Sequence, residues 1–465
     1  MNQKAAFKIQ ASRFLSHYGM LAILILLGVF FSILTIHEQQ PSGKRAAESI
    51  ARQIRHSDDT GFKNILIIVQ DNNDDRQLAA LVEKLLSEDS TVKVRALRGS
   101  PAEVKDSLTT YADAFREYQV FVTTQAYRPV VQSIKTQVPL YTAVPVLTPL
   151  AYRWPTFLLA SNIRNVANQI TVIAIIAIGM TMVIITAGID LSVGSLIALS
   201  AVVTAWLVER MGGIGASPLV LLLGSLGGMA LCGGVGAFSG LMITRFNIPP
   251  FIATLAMMQV AAGLAYIISR GLPIYQLPEN FVTLGRGNEP FLQIPYAVLL
   301  MAVLYVLAHL FMARTVWGRY IYAVGGNPEA ARLAGIRVKL VTFFVYTLCG
   351  VLAGLGGVIM ASQLKSGAPT YGLTYELYVI AAVVVGGTSL SGGEGRIFGT
   401  LIGAFIIAVI QNGMNLTNVE SYTQKVILGV VILLAVLLDR LKQQGFKIKK
   451  VSPDTANRGI EKSDK

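Results

Sequence analysis

The chain has 465 residues, 53% of them apolar and only 14% charged, with a mean hydropathy of +0.57. Soluble domains carry about a quarter charged residues, so this composition excludes an ordinary soluble globule and points to an integral membrane protein. The net charge of +13 is spread over short loops and tails, where it carries orientation information and excludes a nucleic-acid-binding stripe.

Residues 1–16 carry Lys4, Lys8 and Arg13 and no acid. The apolar run 17–36 is long for a signal-peptide core and lacks a clear small-residue cleavage site. It reads as a first span with the N-terminus in the cytoplasm.

Residues 37–156 are the polar exception, with 15 Lys/Arg against 14 Asp/Glu and no span-length apolar run. Residues 64–69 read as a buried strand, and 77–87 as a helix with Leu78, Leu81, Val82, Leu85 and Leu86 on one face. A second strand is expected at 92–97, a helix from Pro101 to about Tyr111, a third strand at 120–124 and a helix at 128–136. Strand–helix units of this length predict a small α/β domain with a parallel sheet. Residues 139–156 carry four prolines and read as a linker.

Apolar runs then return at about 168–188, 192–209, 217–241, 250–269, 295–312, 341–361, 373–390, 397–413 and 423–439. With the first, they predict an all-α polytopic bundle of about ten transmembrane helices, with the α/β domain inserted between spans 1 and 2. The loop 313–340 holds five Lys/Arg against Glu329, and Arg440, Lys442, Lys447, Lys449 and Lys450 follow the last run. Both segments belong in the cytoplasm. Counting spans from either places 37–156 outside. The organisation expected is residues 1–36 as N-terminus and first span, 37–156 as external domain and linker, 157–440 as transmembrane domain and 441–465 as cytoplasmic tail.

Small residues stand four apart at Gly224/Gly228, Gly236/Gly240, Gly350/Gly354 and Gly399/Gly403, which predicts tight helix packing. Cys232 and Cys349 lie in apolar runs and read as small core hydrophobes. There is no phosphate-binding GxxxxGK[ST] motif, no paired-histidine motif and no Cys-x-x-Cys, so neither an ATPase nor a metal site is expected in this chain. Asp190 is the one acid between residues 157 and 208 and sits where two apolar runs meet. A lone carboxylate there should face the bundle interior, water or a helix N-terminus. With Ser192 it marks a helix junction or pathway position; capping of a helix beginning at Leu191 is the leading reading. In the loop 323–337, Asn327 is placed to cap a short helix from Pro328, with Glu329 in its first turn. Such a helix is either an inert connector or the surface that receives a push from a soluble motor.

The segments 179–195 (GMTMVIITAGIDLSVGS), 248–255 (IPPFIATL), 322–335 (YAVGGNPEAARLAG), 381–403 (AAVVVGGTSLSGGEGRIFGTLIG) and 430–439 (VVILLAVLLD) resemble, in this order, the permease subunits of ribose-type bacterial ABC importers. The resemblance covers about 157–440 and the first span. It implies a transport subunit rather than an enzyme, with ATP and Mg bound by a partner ATPase and no cofactor on this chain. It further implies a second permease subunit, a periplasmic sugar-binding protein and a sugar substrate, in the inner membrane. Gly326, Asn327, Glu329 and Ala330 would belong to the segment that couples to the ATPase. Asp190 could then also contact sugar. A secondary sugar carrier or a membrane-anchored sugar sensor are the competing readings. Typical members lack the insertion near 40–150, which weakly resembles the first lobe of a periplasmic sugar-binding protein and is about half the size a two-lobed cleft needs. It is read as a docking or regulatory domain, or a structural remnant.

Overall fold

The apolar runs of the sequence are helices, and the polar insertion is built on a parallel sheet. The computed structural model describes residues 3–56, 62–87 and 92–443. Most of the predicted tail, including Lys447, Lys449 and Lys450, lies outside them. The first helix is α1 (Gln3–Leu34), and from its last turn the insertion, Ile33–Leu158, forms a unit of its own. It runs β1 (Ile36–Gln39), α2 (Gly43–Arg55), β2 (Asn64–Val69), α3 (Asn73–Ser87), β3 (Lys93–Arg98), α4 (Pro101–Thr110), β4 (Val120–Val122), α5 (Arg128–Gln137), β5 (Val146–Leu147) and β6 (Tyr152–Pro155).

The four-stranded sheet has the order β3-β2-β4-β5, and every pairing in it is parallel. Strand β2 is central and apolar on both faces, as parallel strands between helices must be. Ile65, Ile67 and Val69 pack toward α2 and α3, and Leu66 and Ile68 toward α4 and α5. Helix α4 opens on a reciprocal capping box: Ser100 Oγ accepts from the Glu103 amide, and Glu103 accepts from the Ser100 amide. The proline-rich stretch 139–156 is not a plain linker. Val146–Leu147 adds the fourth strand at the sheet edge, and Tyr152–Pro155 pairs antiparallel with β1 in a two-stranded ribbon. Prolines fall outside or at the ends of these short strands, where no ladder hydrogen bond is lost. Helix α2 also carries no expectation from the sequence: its buried face is mostly alanine, Ala46, Ala47 and Ala51 with Ile50 and Ile54.

The second unit contains α6 (Ala160–Ile185), α7 (Val193–Met211), α8 (Pro218–Phe246), α9 (Pro250–Ser269), α10 (Glu279–Arg286), α11 (Tyr296–Arg314), α12 (Val316–Gly326), α13 (Pro328–Leu333), α14 (Val338–Leu364), α15 (Tyr375–Val385), α16 (Ile397–Leu416) and α17 (Ser421–Gln443). Among the described residues seven helices, α6, α7, α8, α9, α11, α14 and α16, are long and apolar enough to cross a membrane. Shorter apolar helices occupy the other three predicted runs, at Gly19–Leu34, Tyr375–Val385 and Ser421–Leu437. The protein is a multi-pass membrane protein.

Helix α6 is the centre of this unit. Every position from Ile170 to Ile185 is buried, and α11, α14, α15 and α16 pack against it in the apolar core. Helix α9 instead exposes Phe251, Ile252 and Ile267, the pattern of a lipid-facing helix. The small-residue stripes pack as their spacing predicts. Gly236 and Gly240 of α8 lie against the α14 backbone at Tyr346 and Phe343, and Gly350 and Gly354 of α14 lie against α8 at Cys232 and Met229. Gly403 of α16 sits on the backbone of Ala382 in α15.

Candidate functional site

Two candidate regions lie at one end of the bundle, and a glycine loop joins them. The first is the short helix α13. Asn327 has extended backbone angles, and its Oδ1 accepts from the Ala330 amide at 3.0 Å. Pro328 occupies the first turn, where its missing N–H costs nothing. Glu329 and Arg332 pair at 2.7 Å, with both side chains about 70% exposed (72% and 70%). The helix ends at Gly335, whose φ of +83° admits the left-handed turn that returns the chain to α14. Only Ala331 of α13 is buried, whereas Leu333 is 85% exposed.

This exposed helix is held by a tightly packed root. Gly325 at the end of α12 is buried, and a Cβ there would collide with the carbonyl oxygen of Ile185 and the amide of Gly393. The Gly393 amide donates to Ile185 O at 2.9 Å, and Tyr322 Oη donates to Gly395 O at 2.8 Å. The loop between α15 and α16 therefore bridges the end of α6 to the start of the α13 segment. Gly392 and Gly393 reach it through φ values of +84° and +77°. By contrast, a Cβ on Gly326 would meet open space. The sequence reading placed Gly326, Asn327, Glu329 and Ala330 in one segment, and they are contiguous here. Tyr322 and Gly325 belong to the same resembling segment, with Tyr322 read as an interface anchor, but neither was named as a site residue, and the 387–396 loop carried only its resemblance. The readable signal was the glycine density of GGTSLSGGEG.

The second region is the α6–α7 junction. Asp190 is fully buried. Its Oδ1 accepts from the Ser192 amide at 2.9 Å and from Ser192 Oγ at 2.6 Å. This is a local Asx turn that sets up the helix entry. Helix α7 starts at Val193 with Ser192 as the residue before it, not at Leu191, so Asp190 does not cap the helix amides directly. Both residues have capping chemistry, and the turn uses the earlier carboxylate to fix the later hydroxyl. Asp190 Oδ2 has no hydrogen-bond partner at normal geometry. The junction is closed over by α14: a Cβ on Gly188 would strike the Tyr346 hydroxyl, and Cys349 backs onto Gly179 of α6. Among the described residues no group of three or more His, Cys, Asp or Glu could hold a metal ion.

The family model for the permease component of branched-chain amino acid transport systems matches residues 162–436. The ribose import permease of Escherichia coli K12 is 46% identical over 293 residues, which cover 62% of this chain and 88% of the relative. The chain belongs to the ribose-type ABC importer permeases. The ribose import permease of Bacillus subtilis is 45% identical, over 62% of this chain and 87% of that protein. The L-arabinose transporter permease of Azospirillum brasilense is 38% identical, over 64% and 85%. No solved structure matches. As a member of this family the protein is a transport subunit and not an enzyme, and the matched region falls within the unit built on α6.

Proposed function

We propose that this permease forms the translocation pathway of a sugar importer and takes its power stroke on α13. The observation that carries the coupling role is the exposed Leu333 beside the exposed Glu329–Arg332 pair, on a helix whose root is locked by Gly325. An apolar side chain rimmed by charges on a rigid mount is the form of a docking surface. The partner is a separate ATPase, which supplies ATP and Mg. A second permease subunit completes the pathway, and a periplasmic binding protein delivers the sugar, in line with the ribose, L-arabinose and D-allose named for the relatives. The site residues are Gly326, Asn327, Glu329 and Ala330 for coupling, with Asp190 and Ser192 fixing the junction beside them.

The positive charge of 313–340 and of the C-terminal tail favours a cytoplasmic location for both. The N-terminus is then cytoplasmic as well, and residues 37–156 are periplasmic. The inserted domain docks the binding protein or regulates its access. The coupling assignment is tested by Glu329→Arg in the transporter reconstituted with its ATPase and binding protein. Uptake should fall while membrane insertion stays normal; normal uptake with normally stimulated ATP hydrolysis would remove α13 from the mechanism.

A further inference from the structure

A cavity of about 290 Å³ lies among α6, α14, α15 and α16. Its polar lining is Gln169, Gln363, Gln411, Tyr375 and Tyr378, and the rest is aliphatic side chains and Met360. Gln169 lies in the first half of α6, Gln363 next to last in α14, Tyr375 at the start of α15 and Gln411 in the last turns of α16. The cavity is thus at the end of the bundle away from Ile185 and the α13 root. Along α6 the separation from Gln169 to Ile185 is about 24 Å at the helical rise.

We infer that this cavity is a binding site for a neutral monosaccharide-sized polyol on its way through the permease. Three amide side chains from three different membrane-spanning helices converge on it. Gln169 is exposed and Gln363 and Gln411 are half-buried, so the cavity opens at that end of the bundle, where a solute can reach it. An amide both donates and accepts, which matches hydroxyl groups that do the same. Gln363 Nε2 is already committed to Asn168 O at 2.9 Å, which fixes that side chain. Gln169 and Gln411 have no hydrogen-bond partner among the described residues and are available to a ligand. Tyr375 and Tyr378 stand edge to face, with centroids 6.0 Å apart and planes at 71°, and offer ring surface to the C–H face of a sugar.

The lining contains no acidic or basic residue. An amino acid zwitterion would bring two charges against partly apolar walls that offer no counter-charge, which is unfavourable. The cavity therefore fits the sugars named for the relatives and not the branched-chain amino acids of the broader family description. Its volume is at the small end of ligand pockets, about 300 Å³ and upward, which suits one sugar ring and not an oligosaccharide. The inference rests on the import of sugar proposed above.

The test compares the unsubstituted permease with Gln169→Leu and Gln411→Leu, each reconstituted with its ATPase and binding protein. Uptake of ribose, L-arabinose, D-allose and leucine is measured. Sugar uptake should fall about tenfold in each variant, the scale of one or two lost hydrogen bonds, while ATP hydrolysis stimulated by the binding protein is unchanged. If the unsubstituted protein imports leucine and no sugar, the proposed function falls and the site with it. If it imports sugar and both variants do so equally well, the site alone is overturned. A second measurement does not depend on turnover. Cys232 and Cys349 are buried, so Gln411→Cys supplies the accessible thiol. A hydrophilic maleimide should label it more slowly in excess imported sugar, and at an unchanged rate in leucine. Labelling indifferent to sugar would overturn the site.

Discussion

Gly325 and Gly326 are adjacent and chemically identical, yet the structure gives them opposite constraints. A methyl group on Gly325 collides with backbone atoms of Ile185 and Gly393, which cannot rotate away. A methyl group on Gly326 meets nothing. Gly325→Ala should therefore cost about 1–3 kcal/mol by overpacking, lower the melting temperature in detergent and uncouple ATP hydrolysis from uptake. Gly326→Ala, in the last position of α12, should leave stability unchanged or raise it by up to about 1 kcal/mol through helix propensity. Asp190 makes a similar contrast by chemistry instead of space. Its Oδ1 needs only to accept from Ser192, and an amide oxygen accepts as well. Asp190→Asn should keep the melting temperature and the sugar preference. Asp190→Ala leaves the buried Ser192 hydroxyl and amide without that acceptor, and should cost about 1–3 kcal/mol. Equal losses in the two variants would mean that the carboxylate charge itself is used.

Between elements, the α8–α14 pair shows how glycine spacing becomes function-bearing rigidity. Gly236 lies on the α14 backbone at Tyr346, and Gly350 on the α8 backbone at Cys232. The contact is backbone on backbone, and that closeness brings Tyr346 and Cys349 over the Asp190 junction. Gly236→Leu should force the helices apart and shift that junction, with a large fall in melting temperature and loss of uptake. Gly234, on the same helix but facing open space, should accept Leu with little change. These elements were legible because long Leu, Ile, Val and Gly runs admit few alternatives to a membrane helix. Elements of low contrast were not. Helix α2 buries alanines that carry weak periodic signal, and β5 is two residues between Pro145 and Pro149. The start of α7 was misplaced because Asp190 and Ser192 both have capping side chains, and only geometry tells which one serves the other. The polyol cavity was out of reach for a different reason: Gln169, Gln363 and Gln411 sit at or near the polar ends of three apolar runs, where a glutamine is commonplace, and only the packing of α6, α14 and α16 brings them together.

At the scale of the whole molecule, the ribose-type permease and the inserted sheet domain are separable in the chain. The family match begins at residue 162, beyond the last residue of the insertion. The insertion enters and leaves through the β1–β6 ribbon, in which Ile36 pairs with Pro155 and Gln39 with Tyr152. Removal of residues 42–148 leaves Gln40, Pro41, Pro149, Leu150 and Ala151 to join the two strands. A loop of this length is within the usual range for a hairpin, up to about five residues. The excision therefore preserves the ribbon and the entry to α6, and the shortened protein should insert in the membrane and hydrolyse ATP with its partner. If the domain docks the binding protein, uptake should become less sensitive to low concentrations of that protein: the half-saturating concentration rises while the rate at saturation is kept. A domain that regulates the pathway instead would change the saturated rate and leave the half-saturating concentration alone. Transport that is unaltered in both respects would assign the insertion no part in import.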